Sequence, residues 1–165
     1  MTATFKRASE NDIGMIRDLA KKSWNSAYAE ILSPEQIDYM LGEMYSVDEL
    51  MRHLQNPGFP YYLIFVDEKP AGFIGFEFNY EKDTTKLHRI YLLAETHGKG
   101  IGKTAINFLK DEVKKIGNHR IILNVNKINN AKNVYESQGF QIYDEGVFDI
   151  GNGYVMDDYL MEFLF

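Results

Sequence analysis

The chain contains no cysteine. That absence excludes disulfide staples, thiolate catalysis and cysteine-based zinc sites together. Histidine is scarce, with four residues at positions 53, 88, 97 and 119, and no pair has a ligand spacing such as HExxH. No bound metal is therefore expected. A basic excess is also missing: 18 Lys and Arg stand against 24 Asp and Glu, for a formal net charge of −6. Sequence-independent nucleic-acid binding relies on cations that neutralise phosphates, so no nucleic-acid partner is expected. An acidic chain suits a cationic small molecule better. Long apolar runs are lacking too. The longest, Tyr61 to Val66, is too short to cross a bilayer, and MTATFKRASEND has no signal-peptide apolar core. A cytoplasmic protein without a membrane partner is the expectation.

What is present is enough for a core. The chain has 165 residues, with 11 Tyr and 11 Phe, and reads as one domain over 1–165. Residues 2–8 suggest a strand. Ser9-Glu10-Asn11-Asp12 has capping-box form and leads into Ile13, Ile16, Ala20 and Trp24 at helical spacing. Ser33-Pro34 and Ser46 open two further helices, and Asn56-Pro57-Gly58 stops the second. Strand patterns follow at 61–66, around 74–80 and at 85–93, with a turn at 67–70. A strongly amphipathic helix runs from Ile101 to Ile116. A strand at 120–125, a short helix at 130–138 and strands at 141–148 and 158–165 complete the order. No repeat or linker interrupts it. The pattern predicts an α/β (α+β) fold around one mixed sheet.

The stretch ETHGKGIGKT, residues 95–104, stands where a strand hands over to a helix. The first N–H groups of a helix lack internal partners and favour an anion. Glycines let the backbone approach that anion closely. His97, Gly98, Lys99, Gly100, Ile101, Gly102 and Lys103 therefore read as a phosphate cradle. A dinucleotide fingerprint needs GxGxxG and an acid about 20 residues on, and the spacing here is GxGxG. A Walker A loop would place its first glycine where His97 stands.

The same stretch, in IYLLAETHGKGIGKTAINFL, resembles the acetyl-CoA loop of the GNAT N-acetyltransferases, Arg/Gln-x-x-Gly-x-Gly/Ala, with Gly100 and Gly102 matching and His97 in place of Arg or Gln. A second segment, NNAKNVYESQGF, is similar to that family's N-x-x-A-x-x-x-Y-x-x-x-G-F. Ala131, Tyr135, Gly139 and Phe140 match, while Asn129 lies two residues before Ala131 rather than three. Trp24 and Tyr28, LSPEQIDYML, HRIYL and FDIGNGYVMDDYLMEFLF resemble the PaiA-type spermine/spermidine acetyltransferases of that family.

The resemblance implies a mostly antiparallel, splayed sheet and acetyl-CoA as co-substrate. It implies that Ile90, Tyr91 and Leu92 lend backbone to the pantetheine arm. The glycine loop, with Asn129 or a neighbouring Asn, would hold the rest of the cofactor. Tyr135 matches the family's general acid at the leaving thiolate. Many relatives carry a Glu where Lys86 stands here, so the base falls to His88, to Glu77 or to a water chain. Glu30, Glu35, Asp38 and Glu43, with Trp24, Tyr28 and Tyr39, would form the acceptor wall for a small amine, polyamine-like in charge. Acetylation of peptides and non-catalytic acyl-CoA sensing are the alternative functions. Homodimers are common in the family.

Overall fold

The computed structural model describes residues 2–165. Strand β1 (Ala3–Arg7) leads through a 3-10 turn (Glu10–Asp12) into α1 (Ile13–Ala27), then α2 (Pro34–Met44) and α3 (Val47–Leu54). Strands β2 (Tyr61–Val66), β3 (Lys69–Glu81) and β4 (Thr84–Leu92) follow. After a second 3-10 turn come α4 (Ile101–Ile116), β5 (Arg120–Asn126), α5 (Ala131–Ser137), β6 (Gln141–Gly151) and β7 (Tyr154–Leu164). The caps expected from sequence are present. Ser33 Oγ accepts from Gln36 N and Ser46 Oγ from Glu49 N, each at 3.1 Å. Ser9 N donates to Asp12 Oδ2 at 2.9 Å, so that box opens the 3-10 turn rather than the helix itself.

All seven strands form one sheet in the order β1-β2-β3-β4-β5-β7-β6. Every neighbouring pair is antiparallel except β4 and β5. One core packs beneath α4 and α5, built on Ile74, Phe76, Leu87, Ile106, Leu109 and Leu123. The other packs beneath α1–α3, built on Ile16, Trp24, Tyr45, Leu50, Leu63 and Phe73.

Two irregularities shape the centre. β4 pairs with β5 only from Thr84 to Leu87. Beyond that point β4 stays on β3 as far as Leu92 and β5 stays on β7 as far as Asn126, so the two strands splay apart. In the β3–β4 ladder, Gly75 faces Arg89 and Phe76 faces Leu87, so His88 is an extra residue. Such a bulge breaks the two-residue alternation. Leu87 and Ile90 serve the α4-side core. His88 stacks on Phe59 at 4.7 Å and Arg89 lies 4.6 Å over Tyr45, both against the α1–α3 side.

The β6–β7 hairpin is longer than the sequence pattern suggests. Its turn is Asn152-Gly153, with both φ values positive, at 53 and 79°. Such a two-residue turn continues the twist of its strands, so pairing extends to Gly151 and Tyr154. Similarly, Asp67 and Glu68 take left-handed φ values of 50 and 69°, and β3 starts at Lys69 rather than after Pro70.

Candidate active site

The splay between β4 and β5 opens into a cavity of about 1000 Å³. The end of α1, β4 from Leu87 to Leu92, the glycine loop, the end of β5 and α5 line it. Backbone groups of β4 beyond Leu87 that would have met β5 face this space.

The glycine loop forms one wall. Gly98 and Gly100 have φ of 77 and 78°, a region that other residues enter with strain. Gly100 is the N-cap of α4, and the helix's first backbone bond runs from Thr104 N to Gly100 O at 3.1 Å. The N–H groups of Ile101, Gly102 and Lys103 precede it and lack a helical partner. Gly102 leaves room beside β4 and α5: a Cβ there would reach Leu92 and Val134 at 3.9 Å. His97, Gly98, Gly100, Ile101, Gly102 and Lys103 all line the cavity, and Lys99 does not. His97 turns back on the strand and its Nε2 lies 3.2 Å from Leu92 O, so the ring N–H donates there. These donors and the helix dipole suit an anion such as a diphosphate. Ile90, Tyr91 and Leu92 line the adjoining wall.

Tyr135 enters from α5. It is 8% exposed and lines the cavity. Burial pushes its phenol well above the ordinary range, with the neighbouring Tyr28 acting the same way. The group therefore holds its proton at neutral pH. Asn129 has a structural task besides any cofactor contact. Its Oδ1 accepts from Ala131 N, the first N–H of α5, at 2.9 Å, and its Nδ2 lies 3.4 Å from Tyr28 Oη. Tyr28 Oη is also 3.4 Å from Tyr91 Oη. A polar seam thus joins the end of α1, β4 and the α5 entry in the cavity wall. The sequence holds no periodic signal for such a seam, because its members come from three distant segments.

The two base candidates meet. His88 Nε2 lies 3.0 Å from Glu77 Oε1. A carboxylate can only accept, so Nε2 carries the proton and Nδ1 keeps the lone pair. Burial pulls the imidazole pKa down to about 3, with the charges of Lys86, Arg89 and His53 acting in the same direction. His88 lines the cavity, and Glu77 stands behind it.

The structure divides the residues of the expected acceptor wall. Tyr28 lines the cavity, but Trp24 does not. Trp24 is 1% exposed, packed against Tyr28 at 4.6 Å and Tyr91 at 5.4 Å. Its position on the inner stripe of α1 makes it core. Of the four acids, only Glu30 is on the cavity. Glu35 and Glu43 are exposed elsewhere on α2, and Asp38 borders a separate cleft with Arg17 and Lys21. Tyr39 donates to Ile150 O at 3.0 Å, tying α2 to the β6–β7 hairpin. Among the described residues, no group of three or more His, Cys, Asp or Glu could hold a metal ion. Nor is any helix long and apolar enough to cross a membrane.

Comparison with known proteins agrees with this geometry. The model of the acetyltransferase (GNAT) family matches residues 15–140. A spermidine N(1)-acetyltransferase from Thermoplasma acidophilum is 28% identical over 162 residues, covering 95% of this chain and 97% of the relative. An uncharacterized N-acetyltransferase from Lactobacillus delbrueckii subsp. lactis is 27% identical over 153 residues, covering 88% of each. Among solved structures, the PaiA N-acetyltransferase from Thermoplasma acidophilum in complex with coenzyme A superposes with a TM-score of 0.84 over the whole of both chains, at 26% identity. The splayed sheet, the glycine loop and the matched sequence together place this chain in the GNAT family of acetyltransferases.

Proposed function

We propose that the protein transfers an acetyl group from acetyl-CoA to a primary amine of a small cationic acceptor, polyamine-like in charge, by direct attack in a ternary complex. The observation that carries this reading is the convergence on one cavity of a donor-rich glycine loop, Tyr135 and His88, with Glu77 bonded behind the imidazole.

Each group has a task. The amides of residues 101–103 receive the cofactor's diphosphate, and β4 from Ile90 to Leu92 offers backbone to the pantetheine arm. The acceptor must present a neutral amine, and His88 Nδ1 takes its proton as the bond to the acetyl carbon forms. The tetrahedral oxyanion is met by backbone N–H near Leu92. Collapse expels the thiolate, and the Tyr135 phenol supplies its proton. Glu77 keeps the His88 tautomer fixed.

The small-amine reading is supported by the spermidine acetyltransferase relative and by Glu30 at the cavity rim. The test is thiol release from acetyl-CoA with a panel of spermidine, spermine, amino acids, an aminoglycoside and short peptides. Release with the polyamines supports the reading. Release only with peptides replaces it with a peptide acceptor. Acetyl-CoA binding without release from any amine replaces it with a sensor.

A further inference from the structure

The scheme above uses no group to receive a second positive charge on the acceptor. One carboxylate near the splay has no assigned task. Asp158 sits in β7 opposite Asn126 of β5. Met156 in the same strand packs into the core beneath α1–α3, and Asp158, two residues on, shares its face of the sheet. Asn124 lines the cavity and, two residues before Asn126 in β5, lies diagonally across the ladder from Asp158 on the same face of the sheet. Burial raises the pKa of Tyr28, the residue that ends α1, and the Asp158 charge acts in the same direction.

Asp158 is only 7% exposed. Its Oδ1 is buried without a hydrogen-bond partner. It belongs to no ion pair among the described residues, while its neighbour Asp157 is paired with Lys127 at 3.1 Å. Lys86 acts on it from a distance, and that ammonium lies over the Tyr80 ring at 4.7 Å. A buried carboxylate that lacks both a cation and a full set of donors is costly to keep. An ammonium entering beside Asn124 supplies the missing charge and the missing donor together.

We propose that Asp158, beside Asn124, holds the non-reacting ammonium of a di- or polyamine acceptor and so sets preference for such amines over monoamines. This inference rests on the acceptor reading above. A charge-assisted contact of this kind contributes about 10- to 100-fold in affinity.

The test compares spermidine with propylamine as acceptors for the wild type, Asp158→Asn, Asp158→Glu and Asn124→Ala. Asp158→Asn should raise KM for spermidine about 10- to 100-fold. KM for propylamine and acetyl-CoA affinity should not change. Asp158→Glu should recover part of the preference. Asn124→Ala should lose part of it, and it carries the test should Asp158→Asn fail to fold. An equal rise for both amines, or no rise, means a structural role and overturns the proposal. Calorimetric titration of spermidine into wild type and variants gives a readout independent of turnover. A wild type that acetylates no amine sinks the transferase reading. Even then the titrations decide Asp158: tighter spermidine binding by the wild type supports it, and equal or absent binding overturns it.

Discussion

His88 and Glu77 sit 3.0 Å apart beside the one-residue bulge in β4. The bulge turns the imidazole toward the α1–α3 side, and the carboxylate decides which nitrogen is free. His88→Gln should lower kcat about 100-fold, within the usual range for loss of a general base, with acetyl-CoA affinity unchanged. Glu77→Gln should lower kcat about 10-fold, because Gln also donates and so admits the wrong tautomer. Steady-state kinetics with calorimetric cofactor binding checks both. Wild-type turnover in His88→Gln assigns the proton to a water chain instead.

The buried histidines also set acid stability. Burial, reinforced by Arg89, pulls His53 down to about 4. His88 is pulled to about 3, chiefly by burial. In the unfolded chain both take up protons near 6.5. Below that pH the unfolded state binds more protons than the folded state, so stability falls as pH drops from about 6.5 toward 4. Above about 6.5 neither histidine changes stability. Asp158, whose pKa burial raises, acts in the opposite sense. Thermal melts from pH 8 to 5 should show a level upper region and a falling lower one. His53→Gln should flatten the fall.

Tyr135→Phe should leave acetyl-CoA affinity intact and lower kcat by about 100-fold or more. The ring lies against Phe140, at 5.9 Å between centroids, and that packing survives the change. Comparison of kcat with cofactor affinity separates the roles. Unchanged kcat would remove Tyr135 from the mechanism.

Much of this arrangement is visible in the sequence, and the rest has physical reasons to be hidden. Local signals are legible: Ser33 and Ser46 cap helices as their spacing predicts, and the glycines at 98 and 100 take the left-handed conformations that only they adopt easily. Long-range relationships are less so. The bulge at His88 is a property of two paired strands, and neither strand shows it alone. Trp24 illustrates a different limit. Helical spacing puts Trp24 and Tyr28 on one face, but it does not say where the core ends and the cavity begins. The acids of α2 likewise share a helix without sharing a site.

The glycine loop yields a prediction in which stability and affinity move apart. Gly100→Ala places a side chain at φ 78° and should destabilise the fold by about 1–2 kcal/mol. Gly102 is helical, and a methyl there meets Leu92 and Val134 at an ordinary 3.9 Å. Gly102→Ala should therefore raise stability by up to about 1 kcal/mol through helix propensity. The same methyl intrudes on the phosphate approach, so acetyl-CoA affinity should fall about 10-fold, which is about 1.4 kcal/mol. Unchanged affinity in Gly102→Ala would move the cofactor's diphosphate off this loop.

Trp24 and Tyr28 give the sharpest division between core and site. Trp24 is enclosed by Tyr28, Tyr45 and Tyr91. Trp24→Ala should cost about 3–5 kcal/mol of stability, as for other large aromatic truncations in a core. Trp24→Phe should cost less and leave acceptor KM unchanged. Tyr28→Phe keeps the packing but removes the hydroxyl that meets Asn129 and Tyr91. That hydroxyl joins two other residues of the cavity wall, so its loss should raise acceptor KM several-fold, about what one uncharged hydrogen bond contributes. Melting temperature and acceptor kinetics on the three variants resolve the two roles. A raised acceptor KM in Trp24→Phe with Tyr28→Phe unaffected would put the indole, rather than the phenol, in the acceptor's path.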